Sequence, residues 1–213
     1  MKISLKFVEI TLFVVIIIVS LVFFAPKYFS NKFEGVTIND RHESFRANLA
    51  TSSDNNLIAS YRNYKVGEIT VGELWLTNLS NNEQKLLVKE GPIASSSMVN
   101  ASGISNPPKK IFYIKSSVFS NDNKKLYFLD SLAYMVSGAI YSIDLNDGKL
   151  SFVCGSNYLD VVKEGKYKDY LITNQHRPHE DYDSGTTDYF YIVDPSDGED
   201  VKNLGNSLDS LNN

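Results

Sequence analysis

Three stretches of this chain share one pattern, and that repetition narrows the fold more than any other feature. They are Gly72–Asn81 (GELWLTNLSN), Gly138–Lys149 (GAIYSIDLNDGK) and Asp188–Glu199 (DYFYIVDPSDGE). The second and third superpose without a gap at an offset of 50, which sets Tyr141 on Tyr191, Asp144 on Asp194 and Gly148 on Gly198. The first meets the second at an offset of 66, with Trp75 on Tyr141 and Asn78 on Asp144. Each stretch reads as a strand with an aromatic among alternating apolar residues, followed by a polar Asn or Asp-Gly turn. Asp-Gly between apolar runs is a strong hairpin signal, because both residues tolerate positive φ. A returning strand follows at Lys85–Val88, Leu150–Val153 and, less regularly, Val201–Leu204.

A companion pattern precedes these hairpins. Ser117–Phe128 (SVFSNDNKKLYF) places a polar turn, Asn121 to Lys124, between two apolar strands; Thr51–Ala59 is a looser version and Lys163–Ile172 a third. Each unit is then strand, long loop, strand, hairpin, strand. That is the layout of a four-stranded propeller blade, at a period of about 40–50 residues. The composition agrees: Tyr (13) and Phe (12) are abundant and Met (3) is scarce, a balance that favours strands.

FSNDNKKLYF at Phe119–Phe128, followed by GAIYSIDLNDGKL at Gly138–Leu150, resembles the repeat of TolB-type β-propellers, which also builds the propellers of prolyl-oligopeptidase relatives. The resemblance spans residues 50–205 as three units. Asn121 and Asn123 stand where the family pattern has Pro and Gly. It implies an all-β propeller-like domain and, since TolB-like proteins are envelope interaction proteins, a binding role. Propellers close with 4–8 blades, so three units imply an incomplete or atypical arrangement. An additional strand near Val36–Ile38, a blade hidden in residues 36–50 and 93–118, and a plain twisted meander or sandwich are the alternatives.

The N-terminus is of another kind. Ile10–Ala25 carries no charge, and thirteen of its sixteen residues are Ile, Leu, Val or Phe. Residues 7–25 are expected to form one transmembrane helix, with Glu9 near the interface and Lys27 and Tyr28 as anchors. A cleaved signal peptide is the competing reading, but Phe23 and Pro26 around Ala25 make a poor cleavage site. The expected division is an anchor at 1–27, a linker with a first strand at 28–50, and the β-repeat domain at 51–213. Lysines on both sides of the anchor barely discriminate orientation; its short leading tail favours an extracytoplasmic domain.

Chemical motifs are sparse. No G-x-S-x-G, P-loop or dinucleotide fingerprint is present. The net charge of −4 gives no reason to expect nucleic acid. Cys154, the single cysteine, ends an apolar strand and reads as a bystander. No cofactor, catalytic residue or metal ligand is assigned, although His176–Asp183 (HRPHEDYD) gathers two His and three acids and admits a metal-dependent hydrolase as an alternative.

Surface loops remain. The longest excursions of the three units, Arg62–Val71, Ser131–Ser137 and Gln175–Thr187, are expected as loops on one face. They supply the candidate binding residues Arg62, Tyr64, Lys65, Tyr134, Met135, His176, Arg177, His179, Glu180, Asp181, Tyr182 and Asp183. The expected function is a membrane-anchored, non-catalytic module docking a protein partner. An immunity protein that neutralises a toxin in the envelope is one specific form of it.

Overall fold

The structure is a computed structural model, and it describes residues 42–93, 98–100, 107–134, 137–178 and 185–209. The apolar segment at 7–25 and the strand expected at Val36–Ile38 lie outside these residues; among the described residues no helix is long and apolar enough to cross a membrane. The chain divides into two compact units, one of Met1–His42 with Val66–Glu68 and one of Glu43–Lys65 with Ile69–Asn213. Of the first, the described part is His42 and the tight turn at Gly67, whose φ is 61°.

All the repeated strands form four-stranded antiparallel sheets in meander order. The first sheet runs β1 (His42–Thr51), β2 (Leu57–Val66), β3 (Ile69–Asn78), β4 (Glu83–Lys89). A short pair, β5 (Gly91–Pro92) with β7 (Lys110–Ile111), follows it. The second sheet is β8 (Ile114–Phe119), β9 (Lys125–Asp130), β10 (Gly138–Asp144) and β11 (Leu150–Ser156), and the three-residue β6 (Met98–Asn100) adds in parallel to the outer edge of β11. The third is β12 (Leu159–Val161), β13 (Leu171–Pro178), β14 (Thr186–Val193) and β15 (Asp200–Gly205). Residues 93–118 therefore hold no further blade among the described residues: they supply β6, β7 and the first strand of the second sheet.

The repeat alignment is reproduced in the ladders. The register slips between Leu74 and Trp75, between Ile140 and Tyr141, and between Phe190 and Tyr191. Each slip places one extra residue in the fourth strand: Leu87, Val153 or Leu204. Bulges at one repeat position bend each sheet alike. The turns match too. Asn78, Asp144 and Asp194 each accept the backbone N–H two residues on, with Oδ1 to N distances of 2.9, 2.9 and 2.8 Å. The positive-φ position is Asn82 (56°), Gly148 (77°) and Gly198 (78°). Asn, like Gly, enters the left-handed region at low cost, so one backbone is written with two residue types.

The turns between first and second strands repeat as well. Ser52 and Ser120 donate to Asp54 and Asp122 at 2.6 and 2.7 Å, and Asn55 and Asn123 take φ of 59° and 56°. These turns bond across the sheets. Ser53 donates to Asn123, and the Asn121 amide donates to Val162 O (2.9 Å) and Asp169 Oδ1 (2.7 Å). The three first turns therefore share one end of the unit.

The core lies between sheets. Along β9, Leu126 and Phe128 pack with Ala59, Tyr61 and Leu74 of the first sheet, while Tyr127 and Leu129 pack with Leu171 and Val193 of the third. Period-two alternation thus delivers opposite faces of one strand to two separate cores. Tyr141 stacks on Phe128 at 5.1 Å and meets Phe152 edge-on at 5.8 Å.

Candidate functional site

The connections from second to third strand lie opposite the shared turns, because each strand crosses the sheet once. At this loop end the second sheet is organised by one carboxylate. Asp130 closes β9 and is fully buried. It accepts the backbone N–H groups of Phe112 (2.9 Å), Tyr113 (3.0 Å) and Leu132 (3.2 Å). Ser131 N–H donates to Tyr113 O at 3.0 Å, and Tyr134 N–H to Ser137 O at 2.9 Å. Two loops distant in sequence are thereby tied to one residue. The three N–H donors satisfy the hydrogen-bonding capacity of a carboxylate that burial has removed from water.

This anchor holds apolar side chains outward. Phe112, Tyr113 and Leu132 are 43%, 46% and 61% exposed. The Lys110 ammonium sits 4.6 Å from the Phe112 ring centroid, and Tyr113 meets Tyr61 edge-on at 6.2 Å. Gly138 completes the corner: a Cβ there would meet Asp130 O at 2.5 Å and Ser156 O at 2.7 Å. The sequence reading missed Phe112, Tyr113 and Leu132. The available signal was the adjacent pair Phe112-Tyr113 beside a strand, where one ring must turn from the core.

The expected loop residues are placed as follows. Arg62–Val71 is not a loop, since β2 continues to Val66 and β3 begins at Ile69. Arg62 is 3% exposed; its guanidinium stacks on Trp75 at 4.7 Å and donates to Gln84 Oε1 at 3.0 Å. It therefore belongs to the face of the first sheet and not to a binding loop. Tyr64 is half-buried on β2 and donates to Glu43 at 3.3 Å, and Lys65 is exposed. Tyr134 does lie in the Ser131–Ser137 connection, half-buried against the core between the first and second sheets.

His176 and Arg177 belong to β13, not to a loop. Their backbone pairs with Asp188 and Thr187, so the hairpin stays laddered to Pro178 and Thr186. His176 Nδ1 lies 2.8 Å from Asp188 Oδ1, and Arg177 donates to Asp200 Oδ2 at 2.9 Å. Met135, His179, Glu180, Asp181, Tyr182 and Asp183 lie outside the described residues. Among the described residues no three His, Cys, Asp or Glu side chains are grouped to hold a metal ion. Cys154 is buried in β11, where desolvation pushes its thiol up to about 12, far from a nucleophile's range.

No family model and no curated protein matches the chain. Solved structures do. The β-propeller domain of the Trilobed protease from Pyrococcus furiosus aligns with a TM-score of 0.50 at 13% identity, over 79% of this chain and 44% of that one. An acylaminoacyl peptidase, solved with Z-Gly-Gly-Phe-chloromethyl ketone, aligns at 0.50 and 13%, over 78% and 26%. TolB from Acinetobacter baumannii aligns at 0.33 and 16%, over 76% and 44%. This chain spans less than half the length of each. At such identities a likeness concerns fold alone, and the fold it supports is an all-β, propeller-like one.

Proposed function

We propose that this chain is a non-catalytic protein-binding module, held to a membrane through residues 7–25 and displaying its β domain outside the cytoplasm. The observation that carries the reading is the loop end of the second sheet. Phe112, Tyr113 and Leu132 stand exposed together on loops that the buried Asp130 holds in place. Grouped exposed apolar side chains mark interaction surfaces, and pre-ordered loops lower the entropy that binding must overcome. Tyr134 in the same connection, and Arg177 at the end of the third sheet's second strand, add residue types enriched at binding hot spots. The apolar run at Ile10–Ala25 supports the membrane part.

The test is site-specific photocrosslinking in intact cells, with the crosslinker at position 113 or 132 and, as control, at position 146 in the opposite turns. One adduct of defined mass is expected from the first two sites and none from the third. Adduct patterns that do not depend on position would overturn the reading. Retention in the membrane after alkaline washing tests the anchor separately.

A further inference from the structure

A cavity of about 390 Å³ opens among the shared turns, at the end opposite the exposed aromatics. Its size falls within the roughly 300–1,000 Å³ of small-ligand pockets. The first strands of two sheets supply the apolar lining: Leu49 of β1 and Phe119 of β8 lie on the side of the first core, and Val118 lies on the opposite face of β8. The polar part of the lining is Thr51, Ser53, Ser117, Ser120, Asn121 and Lys163, and of these Ser117, Asn121 and Lys163 have capacity to spare. Ser117, 8% exposed, has a hydroxyl with no hydrogen-bond partner among the described residues. A buried hydroxyl without a partner is a cost that native interiors rarely carry unless something else meets it. The Asn121 amide nitrogen is committed to Val162 and Asp169, which leaves its oxygen as an acceptor. Lys163 is exposed and enters no ion pair among the described residues.

The charge balance selects the ligand. No acid lines the cavity among the described residues. The nearby turn carboxylates are already engaged: Asp54 with Ser52 and Asn56, Asp122 with Ser120 and Lys124, and Asp169 with the Asn121 amide. Beside the hydroxyls of Thr51, Ser53 and Ser120, the lining offers the Lys163 ammonium and the unpartnered Ser117 hydroxyl as donors, the Asn121 amide oxygen as acceptor, and apolar side chains.

We propose that this cavity binds the C-terminal end of a peptide whose last side chain is apolar. The carboxylate is met by Lys163 Nζ and Ser117 Oγ, the last peptide N–H by Asn121 Oδ1, and the side chain by Leu49 and Phe119. Capture of a chain terminus needs this combination of donors, acceptor and apolar pocket. The proposal is independent of the loop-end function, which rests on other residues at the other end.

The experiment is ligand-observed NMR titration of the full chain in mild detergent. The probes are N-acetyl-L-phenylalanine, its primary amide and hexanoate. Saturable binding of N-acetyl-L-phenylalanine is expected with Kd on the order of 1 mM or below, about tenfold tighter than the amide or hexanoate. Lys163→Gln should weaken it about tenfold and Ser117→Ala by several-fold. Thermal stability of Ser117→Ala should hold or rise, because the variant loses an unpartnered hydroxyl. Absence of saturable binding, equal binding of acid and amide, or wild-type affinity in both variants would overturn the proposal. Hexanoate binding as tightly as N-acetyl-L-phenylalanine would overturn the chain-terminus assignment, because it leaves the peptide N–H without a role.

Discussion

The first and second sheets present repeat-equivalent faces with opposite chemistry. In the second sheet, the face turned to the first carries Phe128, Ala139, Tyr141, Ile143, Leu150 and Phe152, all buried. The same positions in the first sheet hold Ser60, Glu73, Trp75, Thr77, Gln84 and Leu86. There the aromatic is covered by charge instead of by another sheet. Arg62 lies over Trp75 at 4.7 Å, Trp75 Nε1 donates to Glu73 Oε2 at 2.9 Å, and Lys89 pairs with Glu73 at 3.3 Å. The third sheet keeps the apolar version, with Tyr191 at the matching position packed in the second core. Ser60, Arg62 and Glu73 are buried, so this face is polar without being open to solvent, and side chains of the same sheet meet its polar groups.

This contrast is open to breaking. The largest effect is expected from Tyr141→Ala, which removes a fully buried ring stacked on Phe128 and edge-on to Phe152 and should cost about 3–5 kcal/mol. Trp75→Ala, on the polar face, should cost no more than about half of that. Urea unfolding of the two variants decides it, and equal losses would mean that the two faces are equally buried.

Next in size is the turn glycine. Gly148 has φ of 77°, where a β-branched residue is strained, so Gly148→Val should cost about 1–3 kcal/mol. Asn82 takes the same conformation in the first sheet, with φ of 56°. Asn82→Gly should therefore shift stability by only a few tenths of a kcal/mol. A large change at Asn82 would show that the two turns are not equivalent.

Tyr141→Phe sharpens the reading of the core. The Tyr141 hydroxyl is buried without a partner among the described residues, and burial pushes its ionisation well above the usual range. Its removal should be neutral or stabilising by up to about 1 kcal/mol. A clear loss of stability would reveal a bonded water at that oxygen.

The smallest effect is one of pH. The N–H of Asn146 holds the Asp144 carboxyl below its ordinary 3.8. For Asp194, burial opposes the shift, but the bonds from Ser196 and Tyr170 outweigh it, and the carboxyl again lies low. A depressed carboxyl contributes stability that is fully present above its unfolded value and is lost as pH falls through the folded one. The second and third hairpins should therefore weaken below about pH 4. The first hairpin uses Asn78, which does not titrate. Asp144→Asn with Asp194→Asn should flatten the fall in Tm between pH 5 and 2.5, and Asn78→Asp should steepen it. An unchanged acid limb in both would remove these turns from the pH response.

The repeat was legible in the sequence because its turns are local chemistry. Asp-Gly, Asn with positive φ and an aromatic at a constant offset are dictated within a few residues, and the bulges at Trp75, Tyr141 and Tyr191 fall where the alignment put them. The loops were less legible. Arg62, His176 and Arg177 are polar and looked like loop residues, yet a strand can carry polar residues wherever a cross-strand partner satisfies them. Gln84, Asp188 and Asp200 are 22, 12 and 23 residues away. Asp130 looked like an ordinary strand end, and only the return of the chain at Phe112 and Tyr113 made it a loop anchor. The cavity was equally invisible, since Leu49, Ser117 and Lys163 meet only when three turns converge. By itself the sequence determined the strands, the turns and their repetition, which depend on neighbours along the chain. Which faces were buried, which charges were paired and where a pocket opened were decided by packing between sheets, which depends on neighbours in space.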